Sequence, residues 1–260
     1  MPYQDEVSSV IKGFRILSLF RNHDELGVTE IAQAMGMAKG SVYRFLTSLK
    51  RLGLLEQNPQ NERYRPAVGL LELSSIYMAH LDWHGVVRPL IGALSVQIGE
   101  TVHLAIREDT HVVYIDKIEG QQSLRMVSRI GLRRPAHCTG TGKAMLAALN
   151  DQEIWELYRG KELERCTQHT ITDLEALVRE IGLCRQRVYS VDAEENELGI
   201  ICIGAAIRDQ HGNAVAAISA SGPTVRLCGL IVEEIGQQVA ATAREASRRL
   251  GCRPPEQIIS

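Results

Sequence analysis

The chain has 260 residues, of which 45% are hydrophobic and 23% charged, which fits a globular protein of two small domains. It contains no run of about 18 apolar residues and no basic, apolar leader, so we expect a cytoplasmic protein with no membrane contact. The net charge of -2 does not exclude binding to nucleic acid, because a net value hides locally basic segments. The six cysteines are scattered, which predicts reduced thiols.

The first part of the chain carries the apolar periodicity of three helices, predicted over residues 9–22, 28–35 and 39–52. Gly36 is expected to make the turn between the second and the third helix. The outer face of the third helix is formed by Lys39, Ser41, Tyr43, Arg44, Thr47, Lys50 and Arg51. A short helix, a glycine turn and a helix with a polar face predict a helix-turn-helix, whose second helix lies in the major groove of DNA.

Two extended runs, which begin at Leu54 and Arg63, flank a turn-rich segment and predict a β-hairpin wing. The side chains of Arg63 and Arg65 are expected to share one face of a strand and to reach phosphates. No acidic residue lies between Glu30 and Glu56, so this segment is locally basic. A solvated helix face would also explain the charge. The apolar spacing of the three helices, followed by the hairpin, favours a winged helix-turn-helix.

The segment that follows is rich in apolar residues. Residues 67–80 include Leu70, Leu71, Leu73, Ile76, Tyr77 and Met78. An isolated connecting helix cannot hide that much apolar surface, so something must cover it. One interpretation is that the helix packs on its own C-terminal domain.

The rest of the chain mixes strands and helices and predicts an α+β domain. Strand-like runs lie at residues 101–107, 111–119, 123–130, 199–208 and 214–221. Turn residues between neighbouring runs favour antiparallel pairing. Helices are predicted at residues 142–149, from Thr172 onward with Glu175 completing a capping box, and at residues 225–250. The expected result is a mixed, largely antiparallel sheet with flanking helices.

Two polar elements of this domain suit an anionic ligand. Ser219 and Ser221 alternate with Ala220 in a strand, so both hydroxyls point to one face. Residues 139–142 precede a helix, whose N-terminus with flexible glycines offers free N–H groups to an anion. The alternative is that the serines bond only to neighbouring backbone.

Other motifs do not support a nucleotide, a metal or catalysis. Residues 140–144 lack both the glycine spacing of a P-loop and the hydroxyl residue after lysine. His137, Cys138, Cys202 and Asp192 contain no ligand pair at helical spacing for zinc. We therefore expect no metal and no cofactor.

The carboxylates of Asp192, Glu194 and Glu195 are too close in sequence to face a common point, and a turn or a solvated edge explains them. The sequence offers no nucleophile with a paired base. We therefore expect no enzyme activity.

The N-terminal motifs at residues 9–17, 36–46 and 49–53 resemble the DNA-binding domain of the IclR family of bacterial regulators. Residues 99–104, 142–144, 192–199 and 216–223 look like the effector-domain landmarks of that family, in the same order and at similar spacing. The chain has Ala38 where the family usually has Pro, and Gly40-Ser41 where it usually has Ser-Thr. Both departures lie in the recognition helix, and Gly40 removes one hydroxyl there.

The resemblance implies a winged helix-turn-helix over residues 1–66, a linker helix over residues 67–84 and a GAF-like effector-binding domain over residues 85–260. In the family this linker joins the domains and contributes to dimer contacts. The resemblance places the effector pocket on Gly140, Thr141, Asp192, Cys202, Ser219 and Ser221. Some family members bind small carboxylates such as glyoxylate or pyruvate, and Asp192 would then accept hydrogen bonds from the ligand's hydroxyl or hydrate oxygens.

The resemblance also implies a function. We expect a repressor of a catabolic operon that binds a pseudo-palindromic double-stranded DNA operator as a dimer or tetramer. A small carboxylate, a 2-oxo acid or a sugar acid, would release it. The alternatives are an activator of the same family and, from another class of protein, a small-molecule enzyme with a DNA anchor.

Overall fold

The computed structural model describes residues 7–122 and 128–252. The chain divides into two compact units, Met1–Asp82 and Trp83–Ser260. None of the helices within the described ranges is long and apolar enough to cross a membrane. The strand predicted over residues 123–130 falls mainly outside the described residues, and its last three residues, 128–130, form no strand.

The first unit combines a helix-turn-helix with a short hairpin. Its elements are α1 (Ser8–Leu19), α2 (Val28–Met35), α3 (Lys39–Arg51), β1 (Leu55–Gln57), β2 (Tyr64–Pro66) and α4 (Gly69–Ala79). Gly36 ends α2 in the left-handed region with φ of 60°, which glycine adopts without a steric cost. β1 and β2 pair antiparallel. The predicted helix-turn-helix and wing are therefore confirmed.

One apolar cluster holds the first unit together. Its buried members include Ile16, Phe20, Leu26, Ile31, Val42, Leu46, Leu49, Leu55 and Tyr64. Leu52 follows Leu49 at helical spacing but is 68% exposed, because α3 ends one residue earlier. Val10 and Phe14 are apolar and lie four residues apart on α1, yet they are 55% and 65% exposed. The unit therefore leaves one apolar side of α1 uncovered.

The second unit is an antiparallel sheet flanked by helices. Its elements are α5 (His84–Ile98), β3 (Thr101–Glu108), β4 (His111–Ile118), β5 (Arg133–Pro135), α6 (Gly140–Leu146), α7 (Asp151–Leu157), α8 (Leu174–Arg187), β6 (Ser190–Ala193), β7 (Ile200–Arg208), β8 (Ala214–Pro223) and α9 (Leu230–Arg249). The strand order is β5-β4-β3-β8-β7-β6. All pairings between these described strands are antiparallel, so the sheet is not the mixed one expected from the sequence.

The start of α8 differs from the prediction. Asp173, and not Thr172, is the residue before the helix, and its Oδ1 accepts a hydrogen bond from the Ala176 N–H at 2.8 Å. The predicted capping box of Thr172 and Glu175 is therefore wrong. Aspartate fills the same role, since its carboxylate satisfies an N–H group that has no partner inside the helix.

Glycines allow α6 to lie close to the sheet. A Cβ atom on Gly204 of β7 would lie 2.3 Å from the Gly140 oxygen, and one on Gly142 would lie 2.2 Å from the Ala136 oxygen. Distances this short exclude any side chain at either position. The first turn of α6 is therefore fixed directly over the middle of β7, and α9 packs along β7 and against α5.

Candidate functional site

Four neighbouring strands of the second unit place polar residues opposite one another. Asp192 of β6 pairs with Cys202 of β7, Cys202 pairs with Ser221 of β8, and Ser221 pairs with Thr101 of β3. Directly opposite residues point to the same face of a sheet. These four side chains are buried. The sheet thus carries a buried polar row that contains three of the predicted effector-site residues.

A second row lies two positions along the same face. Ser219 is opposite both Gly204 of β7 and His103 of β3. The side-chain period of a strand is two residues, so Ser219 and Ser221 share one face, as the sequence predicts. The first turn of α6 covers this face, because the position of a Gly140 Cβ lies 3.0 Å from the Cys202 oxygen.

The first turn of α6 brings an unpaired hydroxyl to the site. Thr141 is 1% exposed, and its Oγ1 has no hydrogen-bond partner among the described residues. The next two N–H groups of the helix are satisfied, since Gly142 donates to Thr139 Oγ1 at 3.2 Å and Lys143 to the Thr139 oxygen at 2.9 Å. Buried polar atoms of this kind usually have a partner.

His103 also belongs to this site, although it was not among the residues predicted from the sequence. It is fully buried, with Nδ1 at 3.3 Å from Ser221 Oγ and Nε2 at 2.7 Å from Ser128 Oγ. Burial lowers the pKa of His103 to about 4, and the charge of Lys117 adds to this effect. The ring is therefore neutral at pH 7 and offers one donor and one acceptor.

Tyr114 forms the side of the site next to His103. The two ring centroids lie 4.9 Å apart. Burial raises the pKa of the Tyr114 hydroxyl, and the nearby Cys202 and Asp192 raise it further. The phenol is therefore neutral and can donate a hydrogen bond.

Asp192 is 1% exposed and lies in β6, so the interpretation of a turn or a solvated edge is wrong for this residue, while residues 194–199 after it do form a turn. Its Oδ1 accepts hydrogen bonds from the Glu195 N–H at 2.8 Å and from the Asn196 N–H at 3.3 Å. Burial nevertheless raises the pKa of Asp192 from 3.8 to about 7. Near neutral pH this carboxyl group is therefore divided between its charged and neutral forms.

A buried ion pair lies beside the site. The Lys143 side chain is fully buried and donates to Glu195 Oε1 and to the Val191 oxygen, the latter at 2.5 Å. Burial lowers the pKa of Lys143, but the charge and the hydrogen bond of Glu195, together with the charge of Glu180, outweigh burial and leave the pKa raised. The ammonium group stays charged and is already neutralised by Glu195, so it supplies no free charge to a ligand.

Neither a thiolate nor a metal cluster occurs at the site among the described residues. Burial raises the pKa of the Cys202 thiol well above its ordinary value, so it is not a thiolate nucleophile. Within the same described part of the chain, no cluster of three or more His, Cys, Asp or Glu is arranged to hold a metal ion. His137 instead bonds through Nε2 to the Glu164 oxygen at 2.9 Å.

The predicted DNA-binding residues of α3 lie at the surface of the first unit. The exposed side chains are those of Lys39, Ser41, Tyr43, Arg44, Lys50 and Arg51. Lys50 Nζ donates to Gln57 Oε1 of β1 at 3.3 Å. The helix therefore presents a continuous polar and cationic face.

The two arginines of the wing are engaged with carboxylates. Arg63 pairs with Glu30 at 2.7 Å, and Arg65 pairs with Glu56 at 2.5 Å. These are the two glutamates that bound the acid-free segment of the sequence. Exposed ion pairs of this kind contribute about 0 to 1 kcal/mol, so exchanging a glutamate for a phosphate costs little.

Comparison with known proteins follows the same division of the chain. The sequence profile of the IclR helix-turn-helix domain matches residues 9–59, and that of the bacterial transcriptional regulator IclR C-terminal domain matches residues 76–248. The HTH-type transcriptional regulator KdgR of Dickeya chrysanthemi is 37% identical, over 95% of this chain and 81% of that protein. The HTH-type transcriptional repressor AllR of Salmonella typhi is 32% identical, over 97% and 93%. The crystal structure of the Thermotoga maritima IclR protein matches 95% of this chain and 100% of its own, with a TM-score of 0.79 and 34% identity.

Proposed function

The chain belongs to the IclR family of bacterial transcriptional regulators, and from that premise we propose that it represses a catabolic operon until a small carboxylate releases it from DNA. Its relatives are DNA-binding regulators and not enzymes. Repression is favoured because similar proteins, such as AllR and the IclR protein of Escherichia coli, are named as repressors.

The observation that carries the effector proposal is the buried polar surface of the sheet under α6. The first turn of α6 carries a buried threonine hydroxyl without a partner, and the sheet surface under this helix carries two serines, a neutral histidine and a carboxyl group of raised pKa. In the proposed complex the anionic end lies at the Gly140 and Thr141 amides and at the Ser219 and Ser221 hydroxyls. Asp192, with Cys202 beside it, contacts the other end, which suits the hydroxyl or hydrate of a 2-oxo acid or sugar acid.

Such a ligand lowers DNA affinity only if it binds the DNA-free arrangement better than the DNA-bound one. Replacing Ser219 and Ser221 together by Ala removes two donors to a buried anion, each contributing about 1.5 to 3 kcal/mol. The double variant is expected to bind operator normally and to need far more inducer. Calorimetry with pyruvate and glyoxylate, beside an operator-release assay, measures both properties. Unchanged inducer affinity in a folded, DNA-binding variant would mean that the pocket lies elsewhere.

The proposed DNA contacts form two sets, one that reads the base sequence and one that positions the protein on the phosphates. Lys39, Ser41, Tyr43 and Arg44 lie near base edges or groove walls at the start of α3, which is the part of a recognition helix that meets the bases. A second set acts mainly on phosphates, which fix register without reading sequence. It comprises Lys50, Arg51, Arg63 and Arg65.

The proposed oligomer is supported by exposed apolar side chains of the first unit. On α4, Leu71, Leu73 and Ile76 are 68%, 52% and 59% exposed, and Val10 and Phe14 of α1 are also uncovered. One short recognition helix reads too few base pairs for specificity, so a dimer or a pair of dimers on a pseudo-palindrome is expected. Sedimentation at assay concentrations tests this, and a stable monomer would contradict it.

The two alternatives have separate tests. An activator of the same family shares these features, and the position of the operator relative to the promoter distinguishes it from a repressor. An enzyme fused to a DNA anchor would convert the bound carboxylate to a product. Recovery of the unchanged ligand after incubation would exclude that alternative.

A further inference from the structure

A cavity of the second unit shares no residue with the proposed effector site. It has a volume of about 510 Å3 and is lined by parts of α6, α8, β7 and α9. Small-molecule sites commonly measure about 300 to 1,000 Å3, so this cavity has the size of a ligand site.

The cavity exists because one edge strand is shorter than its neighbour. β6 pairs with β7 only from Ile201 to Gly204, while β7 continues to Arg208. Within the described residues no strand covers that edge of β7 beyond Gly204. Ala205 and Ala206, which both line the cavity, are adjacent and so point to opposite faces. The cavity therefore lies at the uncovered edge of the sheet, between α6 and α8 on one face and α9 on the other.

The walls of the cavity are apolar. Ala144 of α6 and Ala147, which follows the helix, line it from one side, and Ala240 and Ala243 of α9 from the other. Small side chains on both helices leave room that larger residues would fill. Tyr189 also lines the cavity. A ligand body made of hydrocarbon would therefore replace water along most of its length.

The charged residues that line the cavity are all arginines. They are Arg185, Arg208, Arg244 and Arg248, and no aspartate or glutamate lines it. Arg185 and Arg248 form ion pairs with Asp151 and Glu245. Arg208 donates to a backbone oxygen, that of Gly212, at 2.7 Å. Arg244 is exposed and has no ion pair or hydrogen bond among the described residues.

We propose that this cavity binds an organic anion with an apolar body, a carboxylate on an alkyl or aromatic group, whose charge is held by Arg244 and Arg208. The charge of the cavity fits an anion, and the alanine walls fit a hydrocarbon. The proposal does not depend on the effector, because the small carboxylate proposed for the effector site has no hydrocarbon body to pack against these alanines.

Calorimetry of the full chain with octanoate tests the proposal. Octanoate is expected to bind at one saturable site. Acetate, which lacks the body, and octanol, which lacks the charge, are each expected to bind at least about tenfold more weakly. Saturable binding of octanol as tight as that of octanoate, or no binding of octanoate up to about 10 mM, would overturn it.

Two arginines of α9 provide a matched pair of variants. Arg244→Gln removes the charge and leaves a shorter, polar side chain, and is expected to weaken octanoate binding about tenfold or more. Arg249→Gln removes a charge from the same helix outside the cavity and is expected to leave the affinity within about twofold. Equal effects of the two variants would overturn the proposal. Both side chains are exposed, so neither substitution threatens folding.

Two further variants identify the occupant. Ala206→Leu fills the cavity and is expected to abolish octanoate binding, while the Ser219→Ala, Ser221→Ala double variant should bind octanoate as the natural chain does. Loss of octanoate binding in the serine variant would mean that octanoate occupies the effector pocket. Residues 253–260 follow Cys252 at the rim of the cavity. Octanoate binding that appears only after their removal would identify this tail as the occupant and overturn the proposal.

Discussion

Replacing Asp192 by Asn is expected to stabilise the second unit above neutral pH and to change how its stability depends on pH. Burial raises the pKa of Asp192 from 3.8 to about 7. Between these two values the folded chain holds a proton that the unfolded chain has lost. The unfolded state therefore binds fewer protons, so the contribution of Asp192 to stability falls as the pH rises from about 4 to about 7.

The size of the effect follows from the shift. One pKa unit corresponds to about 1.4 kcal/mol, so a shift from 3.8 to about 7 corresponds to about 4 kcal/mol at pH 8. Asn has nearly the same shape, and its oxygen can still accept the N–H groups of Glu195 and Asn196. We expect Asp192→Asn to be about 2 to 4 kcal/mol more stable than the natural chain at pH 8, and about equally stable near pH 4.

Urea denaturation between pH 4 and pH 8 measures this difference. Both tryptophans, Trp83 and Trp155, belong to the second unit, so their fluorescence reports on its unfolding. Burial lowers the pKa of His103 from 6.5 to about 4, so its contribution to stability rises with pH between those values. That term is common to both proteins and cancels when they are compared. A stability difference that does not change with pH, or a carboxyl carbon that titrates near 4 by NMR, would refute the reasoning.

Three further predictions follow from local geometry. Gly142→Ala is expected to destabilise the second unit by about 3 kcal/mol or more, because its Cβ would lie 2.2 Å from a backbone oxygen, and the same denaturation assay should detect this. The Cys138 and Cys166 sulfurs lie 3.8 Å apart, so diamide should join them, and mass spectrometry after alkylation should then count two fewer thiols than in the untreated chain. Arg44→Ala should relax base preference at one position by about 1 to 3 kcal/mol. Arg63→Ala should weaken binding to all sequences alike, and the DNA-binding constant should then depend less steeply on salt concentration. Equal effects on specific and random DNA would contradict this division.

The helix-turn-helix could be predicted because its signals are local. Apolar spacing marks each helix, and Gly36 marks the turn by its left-handed backbone. The short strands β5 and β6 could not, because three or four residues are too few to show a period. Asp192 was misjudged for the same reason, since a buried edge strand with a carboxylate resembles a turn in sequence.

The effector site was predictable in part. The alternation of Ser219 and Ser221 places two hydroxyls on one face without any knowledge of the neighbouring strands. His103 and Tyr114 could not be assigned, because their place in the site depends on the register of β3 against β8 and β4. The cavity at the uncovered edge of β7 could not be predicted either. It results from the unequal lengths of two paired strands, a property of the assembled sheet.

Footprinting on the DNA upstream of the chain's own gene and its neighbours tests the central claim most directly. A ligand-controlled regulator should protect a pseudo-palindromic region at salt concentrations where random DNA does not compete. The protection should disappear when the small carboxylate made or consumed by the neighbouring gene products is added. Protection of a single half-site, or protection that no such carboxylate changes, would contradict the account.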